Sequence, residues 1–247
     1  MESKKQSSTF ISYAQINEDV VLFRALKNVE VGFYVDVGAH DPTYHSTTKA
    51  FYERGWSGIN IEPVGHYFDR LEKERVRDVN LKVAAGNQQG EMRFFEILDT
   101  GLSTANEEFA RNHEKAGFKV EERVVEVTTL DQICSEYKPE VIHFLKIDVE
   151  GLEKDVLEGL DLTRMRPWII CAEATVPLSE EETFQEWEHL LTSNRYLFAL
   201  SDGLNRFYCA QEHSELLPVL SEPSETVIFS RSHEKSVSAY REPASSD

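Results

Sequence analysis

The sequence predicts an α/β fold: a mostly parallel central sheet, helices on both faces and an antiparallel strand near the C-terminus. Two observations carry this. Apolar runs of strand length alternate with stretches of helical periodicity along the chain, and strands separated by single helices imply right-handed βαβ units in a parallel sheet. The runs also stop at glycine or proline, as in "FYVDVG", "SGINIEP" and "VNLKVAAG".

In order, "EDVVLFRALKNV" (18–29) has helical spacing, and "FYVDVG" reads as the first buried strand. "TTKAFYERGW" reads as a helix closed by Gly55. "SGINIEP" is a strand ended by Pro63, "YFDRLEKERV" a helix, and "VNLKVAAG" one strand ended by Gly86. "EMRFFEI" and "RVVEVTTL" suggest a local antiparallel excursion, and "TLDQICSEY" a short helix capped by Thr129. "VIHFLKIDVEG" is a strand, "LEKDVLEGL" a helix and "PWIICAEA" a strand. "SEEETFQEWEHLLTSN" predicts a helix with a capping box of Ser179 and Glu182. "YLFALSDG" and "ETVIFS" complete the set as an antiparallel pair of strands. The charged stretch 106–122 reads either as a lid or as a solvated helix and loop.

With 247 residues, 40% of them hydrophobic, the chain can bury one substantial core. The expected organisation is a flexible N-terminus over 1–12, a single domain over 13–230 and a flexible polar tail over 231–247. A formal net charge of −18 argues against binding nucleic acid or an anionic membrane surface. Three scattered cysteines form neither a disulfide framework nor a zinc motif. The opening "MESKKQSSTF" lacks an apolar signal core, and no run approaches the ~18 apolar residues that span a bilayer. A cytoplasmic location and no integral membrane segment are expected.

Ligands of open α/β sheets sit outside the carboxyl ends of the strands, where strand order reverses. Asp36 and Gly38 end the first such strand, followed by Ala39, His40 and Asp41. A dinucleotide site would need G-x-G-x-x-G. Here one glycine stands between acids that repel a pyrophosphate, which counts against an NAD-type oxidoreductase. Glu62, followed by Pro63, ends the next strand, placed to accept hydrogen bonds from ribose hydroxyls, and Ala84 with Ala85 offers a small apolar rest for a base. The trio reads as an adenosine pocket for a cationic ligand without phosphate, of which S-adenosylmethionine is the common example; plain strand-end capping by Asp36 and Glu62 is the alternative.

In "LKIDVEG", Lys146, Asp148 and Glu150 alternate around the end of a central strand, a costly arrangement if buried and unpaired. An ion pair of Lys146 with one acid accounts for two of them. The remaining acid suits proton acceptance from an alcohol during methyl transfer, with Asp148 and Glu150 as candidates, Lys146 tuning them and His40 as a second base candidate. Glu173 ends the next strand. It reads either as an acceptor contact or, with Asp148, as ligands for Mg²⁺ or another hard divalent ion.

The segments "FYVDVGAHDP", "GINIEP", "VAAGNQQG", "GLST", "TTLDQI" and "LKIDVEG" resemble, in order, the FkbM-type methyltransferases. The resemblance implies a Rossmann-like class I fold, S-adenosylmethionine as cofactor with contacts at Asp36, Gly38, Glu62 and near Ser103, and chemistry around Asp148 and Glu150. "DGLNRFY" looks like members from polysaccharide biosynthesis, which implies a carbohydrate acceptor, such as a rhamnose or fucose hydroxyl, and association with glycan-assembly enzymes. Macrolide-modifying members leave another acceptor class open, and a non-catalytic protein that binds an adenosine ligand is the alternative from a different class. Read from the residues alone, Asp202, Asn205 and Arg206 either bond sugar hydroxyls or belong to a β-turn at Gly203 with its aromatics in the core.

Overall fold

The computed structural model describes residues 10–98, 100–222, 227–232 and 235–240. The chain runs through β1 (Phe10–Ser12), α1 (Glu18–Leu26), β2 (Phe33–Val37), α2 (Lys49–Glu53), β3 (Ser57–Ile61), α3 (Gly65–Glu74), β4 (Val79–Leu81) and β5 (Ala84–Ala85). It continues through β6 (Gly90–Ile97), α4 (Glu107–Lys115), β7 (Val120–Thr128), α5 (Leu130–Tyr137), β8 (Phe144–Ile147), α6 (Glu153–Glu158) and β9 (Ile169–Glu173). Then come α7 (Glu188–Thr192), β10 (Tyr196–Ser201), β11 (Asn205–Ala210), α8 (Leu217–Leu220), β12 (Val227–Ser232) and β13 (Lys235–Tyr240).

Seven strands form the main sheet in the order β10-β11-β9-β8-β2-β3-β4. From β2 the chain builds outward through β3 and β4, then crosses back to β8 and β9, all parallel, while β11 and β10 join antiparallel. Strand order therefore reverses between β2 and β8, and a crevice opens at their carboxyl ends.

Side-chain alternation divides the sheet into two cores. Val35, Val37, Ile59, Ile61, Leu145, Ile147 and Ile170 face one side. Tyr34, Phe144, Ile169, Cys171 and Phe207 face the other, packed against Val21, Leu22 and Leu26 of α1. Each buried aliphatic side chain stabilises the fold by about 1.5–3 kcal/mol. By the same parity Asp36, Lys146 and Glu173 lie on the α1 side, at the carboxyl edge.

A second sheet, β5-β7-β6, stands beside the first. It contains the expected antiparallel pair β6 and β7, and Thr129 caps α5 by accepting a hydrogen bond from the Gln132 N–H at 3.1 Å. A third sheet joins β1 with β13 and β12.

Four expectations are corrected. "VNLKVAAG" is two strands, β4 in the main sheet and β5 in the second. The helix expected over 179–194 is absent: the Thr183 N–H donates to the Ala174 carbonyl, Glu182 pairs with Thr175, and only a 3-10 turn (Phe184–Glu186) and α7 follow. Ser179 accepts from the Glu181 N–H, so no capping box forms. The antiparallel partner of β10 is β11, inside "DGLNRFY", not "ETVIFS", which contributes β12 to the third sheet and whose residues 225–226 lie outside the described residues.

The stretches set aside as flexible ends include paired backbone: residues 10–12 form β1, and 231–232 and 235–240 belong to β12 and β13. Residues 1–9, 233–234 and 241–247 lie outside the described residues. The segment 106–122 holds α4 and the start of β7, and none of it lines the main cavity. No helix among the described residues is long and apolar enough to cross a membrane.

Candidate active site

The crevice at the carboxyl ends of β2, β3, β8 and β9 opens into a cavity of about 650 Å³. Its size suits a ligand of cofactor dimensions. Among the described residues, six carboxylates line it (Asp36, Glu62, Asp148, Glu150, Glu173 and Glu180), against Lys146 as the one lysine or arginine.

Gly38 leaves β2 with φ +78°, a conformation closed to most residues with a Cβ. Its N–H and that of Ala39 donate to the Ile61 carbonyl, while the Asp148 N–H donates to the Val37 carbonyl at 3.0 Å. A Cβ on residue 38 would fall well under 3.0 Å from the Asp148 carbonyl oxygen. The glycine is thus required by the backbone conformation, and the group that approaches it closely is the exit of β8.

Asp36 is buried, and its Oδ2 accepts from the Thr48 hydroxyl at 2.9 Å. Burial raises its pKa, opposed by the Lys146 charge. Glu62 is buried too. It accepts from the His40 N–H at 2.8 Å and the Val64 N–H at 2.7 Å, so it pins the loops after β2 and β3. Burial pushes Glu62 up to about 7 despite those bonds. Each carboxylate oxygen keeps a second lone pair for a ligand hydroxyl. Ala39, Pro63, Ala84, Ala85 and Ser103 all line the cavity, and Ser103 Oγ accepts from the Ile97 N–H.

Lys146 Nζ donates to Asp148 Oδ2 at 2.7 Å. Burial alone would lower the Lys146 pKa, but Asp148, Asp36 and Glu18 more than offset it and hold the ammonium charged. Burial likewise disfavours the Asp148 anion, yet Lys146 prevails and lowers its pKa. Asp148 is thus the ionised acid of the site.

Beyond Asp148 the backbone turns sharply. Glu150 has φ +54° and Gly151 φ +100°. Glu153 holds this turn by accepting from the Val149 and Gly151 N–H groups, and the Thr104 hydroxyl donates to the Glu150 carbonyl at 2.7 Å. A left-handed non-glycine residue is a strained element of the kind that clusters at functional sites. Here it brings Glu150 to the cavity, so that Asp148, Glu150 and Glu173 each offer an oxygen within 4.8 Å of the others. Burial, then the Asp148 charge, raises the pKa of both Glu150 and Glu173.

His40 also has positive φ, its ring lies 3.9 Å from that of Tyr67, and its buried Nε2 meets no hydrogen-bond partner among the described residues. Burial pushes it down to about 4, so at neutral pH it is an uncharged imidazole.

Asp202, Asn205 and Arg206 do not line this cavity, though Leu204 does. Asp202 Oδ1 accepts from the Leu204 and Asn205 N–H groups around Gly203, at φ +98°. Arg206 lies 3.6 Å from the Phe184 ring centroid and donates to Glu188 and the Tyr208 hydroxyl. The turn reading accounts for these contacts.

Gln15, Tyr44, His45, Thr47, Tyr67 and Leu178 line the cavity unforeseen. The aromatic-rich "HDPTYHST" was the available signal for Tyr44 and His45. Gln15 and Leu178 lie on irregular backbone, where periodicity says nothing.

Among curated proteins none matches the chain. The family model described as the methyltransferase FkbM domain matches residues 36–198, from the acid of β2 into β10. The chain belongs to the FkbM methyltransferase family.

Proposed function

We propose that the protein is an S-adenosylmethionine-dependent O-methyltransferase acting on a sugar hydroxyl, with a deoxyhexose of the rhamnose or fucose type as the acceptor to test first. The observation that carries this is the Lys146–Asp148 pair, an anion held ionised at the strand-order reversal inside an acid-lined cavity. The cofactor implied by the family fits these residues: six lining carboxylates favour a cationic ligand, and Glu62 stands where ribose hydroxyls need an acceptor. Bound there, S-adenosylmethionine supplies a methyl group on a sulfonium centre.

The protein's own part is positioning and proton acceptance. An alcohol is a weak acid, so a base must take its proton as the oxygen–carbon bond forms. Asp148 accepts the hydroxyl's hydrogen bond and then its proton, while Lys146 keeps the carboxylate fixed and charged. Glu150, Glu173 and neutral His40 hold neighbouring hydroxyls. Orienting the oxygen at roughly 3–3.5 Å from its target is itself a large part of the acceleration. At the rim, Tyr44 is 42% exposed and stacks on His45, an aromatic surface suited to the C–H face of a sugar ring. A reducing compartment, the cytoplasm, suits the three buried free thiols.

The test is a screen of sugar acceptors with isotope-labelled cofactor, the new bond located by NMR. Asp148→Asn should keep cofactor affinity within a few-fold and lose transfer. Equal turnover by wild type and variant refutes the base assignment, and label transfer to nitrogen or carbon refutes O-methylation.

A further inference from the structure

We propose that Asp148, Glu150 and Glu173 bind one hard divalent cation of the Mg²⁺ or Mn²⁺ class, which chelates two neighbouring oxygens of the acceptor. The inference deepens the methyl-transfer reading and rests on it only for the acceptor.

The three carboxylates come from the end of β8, the strained turn after it and the end of β9. Each places an oxygen within 4.8 Å of the other two. Proximity alone would mean little on an acidic protein, but Glu150 and Glu173 are only 8% and 5% exposed. Their Oε2 atoms are buried and meet no hydrogen-bond donor among the described residues. A buried carboxylate oxygen without a partner is strongly disfavoured unless a proton or a cation meets it.

Lys146 does not fill that role, since its bond goes to Asp148 Oδ2. With Oδ2 bonded to Lys146, Asp148 Oδ1 is the third candidate ligand oxygen. Once all three carboxylates are ionised, they and the one ammonium carry two surplus negative charges, and one divalent ion cancels both. The donor set is oxygen throughout, the preference of Mg²⁺, Mn²⁺ and Ca²⁺ rather than of zinc or copper. Three protein oxygens leave coordination positions for water or for acceptor oxygens. The acceptor class that uses them is a vicinal diol, or a hydroxyl beside a carbonyl, with the methylated oxygen held next to Asp148.

The experiment titrates Mn²⁺ into the metal-free full chain at pH 7.5, with free Mn²⁺ read by electron paramagnetic resonance and no other ligand added. One equivalent should bind, displaceable by Mg²⁺. Glu173→Gln and Glu150→Gln should each weaken binding at least ~10-fold. An isotherm that neither substitution changes would assign Mn²⁺ to surface carboxylates and overturn the proposal. Because removing a buried acid can disturb folding, the wild type supplies a second reading. Fe²⁺ with ascorbate and peroxide should cleave the backbone beside residues 148–150 and 173, and Mg²⁺ should suppress these cuts. Cuts confined to other segments overturn the proposal as well. S-adenosylmethionine binding, titrated separately, tells the two readings apart: cofactor binding without Mn²⁺ binding removes the cation and leaves methyl transfer, and Mn²⁺ binding without cofactor binding does the reverse.

Discussion

Replacing Gly38 by alanine tests what shapes the mouth of the sheet. Residue 38 sits at φ +78°, and its Cβ would fall well under 3.0 Å from the carbonyl oxygen of Asp148. The left-handed conformation costs an alanine about 1–2 kcal/mol, and forcing an atom into packed backbone costs about 1–3 kcal/mol more. The sum, roughly 2–5 kcal/mol, corresponds to a fall in melting temperature of roughly 4–20 °C for a chain of this size. Relief of the overlap requires the exit of β8 to move, and Asp148 with it. Gly38→Ala should therefore lose stability and cofactor affinity together, read by circular dichroism melts and calorimetric titration. If the glycine existed only to clear space for a ligand, the melt would be unchanged and affinity alone would fall. A variant that melts within 1 °C of wild type refutes the backbone argument.

Lys146→Met strips Asp148 of the cation bonded to it at 2.7 Å; because the Asp148 side chain is 28% exposed, the expected loss is about 3 kcal/mol or less, below the full cost of a broken buried pair, and an unchanged melt would contradict it. Stability should also fall as pH rises from about 7 to 8. Burial raises Asp19, Glu62 and Glu153 to about 7 in the folded chain, so in that window the unfolded state holds fewer carboxyl protons than the folded one, while the histidines His40, His45, His113 and His143, whose pKa burial lowers, oppose the trend chiefly near and below their free value of about 6.5; denaturant melts with a rising midpoint would reverse the sign. Arg206→Ala should cost about 1–3 kcal/mol through its contacts with Phe184, Phe198 and Glu188 and leave the acceptor KM alone; a raised KM at an unchanged melting temperature would return Arg206 to the acceptor site.

The parts of the fold legible in the sequence are those that one periodicity decides. β2, β3, β8 and β9 are mostly apolar runs of strand length, and their ends carry Asp36, Glu62, Asp148 and Glu173 to one cavity. "VNLKVAAG" misleads because its halves satisfy different sheets: Asn80 accepts from the Asn60 side-chain amide in the main sheet, while Ala84 and Ala85 pair with β7. "NRFYCA" misleads because it follows a glycine turn that reads as an ending, yet it inserts between β9 and β10. The three glutamates 180–182 resemble a helix start, but they are exposed and bring no apolar side chain of their own, and the backbone there folds back on β9 instead. The turn that brings Glu150 into the cavity depends on Glu153 and Thr104, and no local pattern announces contacts of that kind.

The family match begins at Asp36, yet the site does not. Gln15 lines the cavity, and buried Glu18 accepts from the hydroxyl of Thr47, itself a lining residue. Glu18 is also one of the acids that hold Lys146 charged. The reason lies in the sheet's alternation. Register sets Asp36 beside Lys146 on the α1 side, so whatever covers that face must meet a buried charge as well as bury Tyr34 and Phe144. α1 does both: Val21, Leu22 and Leu26 pack on the apolar part, and its first turn supplies Glu18 at the polar edge. On the far side, Phe207 and Cys209 of β11 complete the same core beyond the end of the match. The chemistry-bearing residues thus fall within 36–198, but the environment that ionises Asp148 is built partly by segments outside it. A charge buried under a sheet face is stable only when the covering layer is matched to it, and here that layer comes from both ends of the chain.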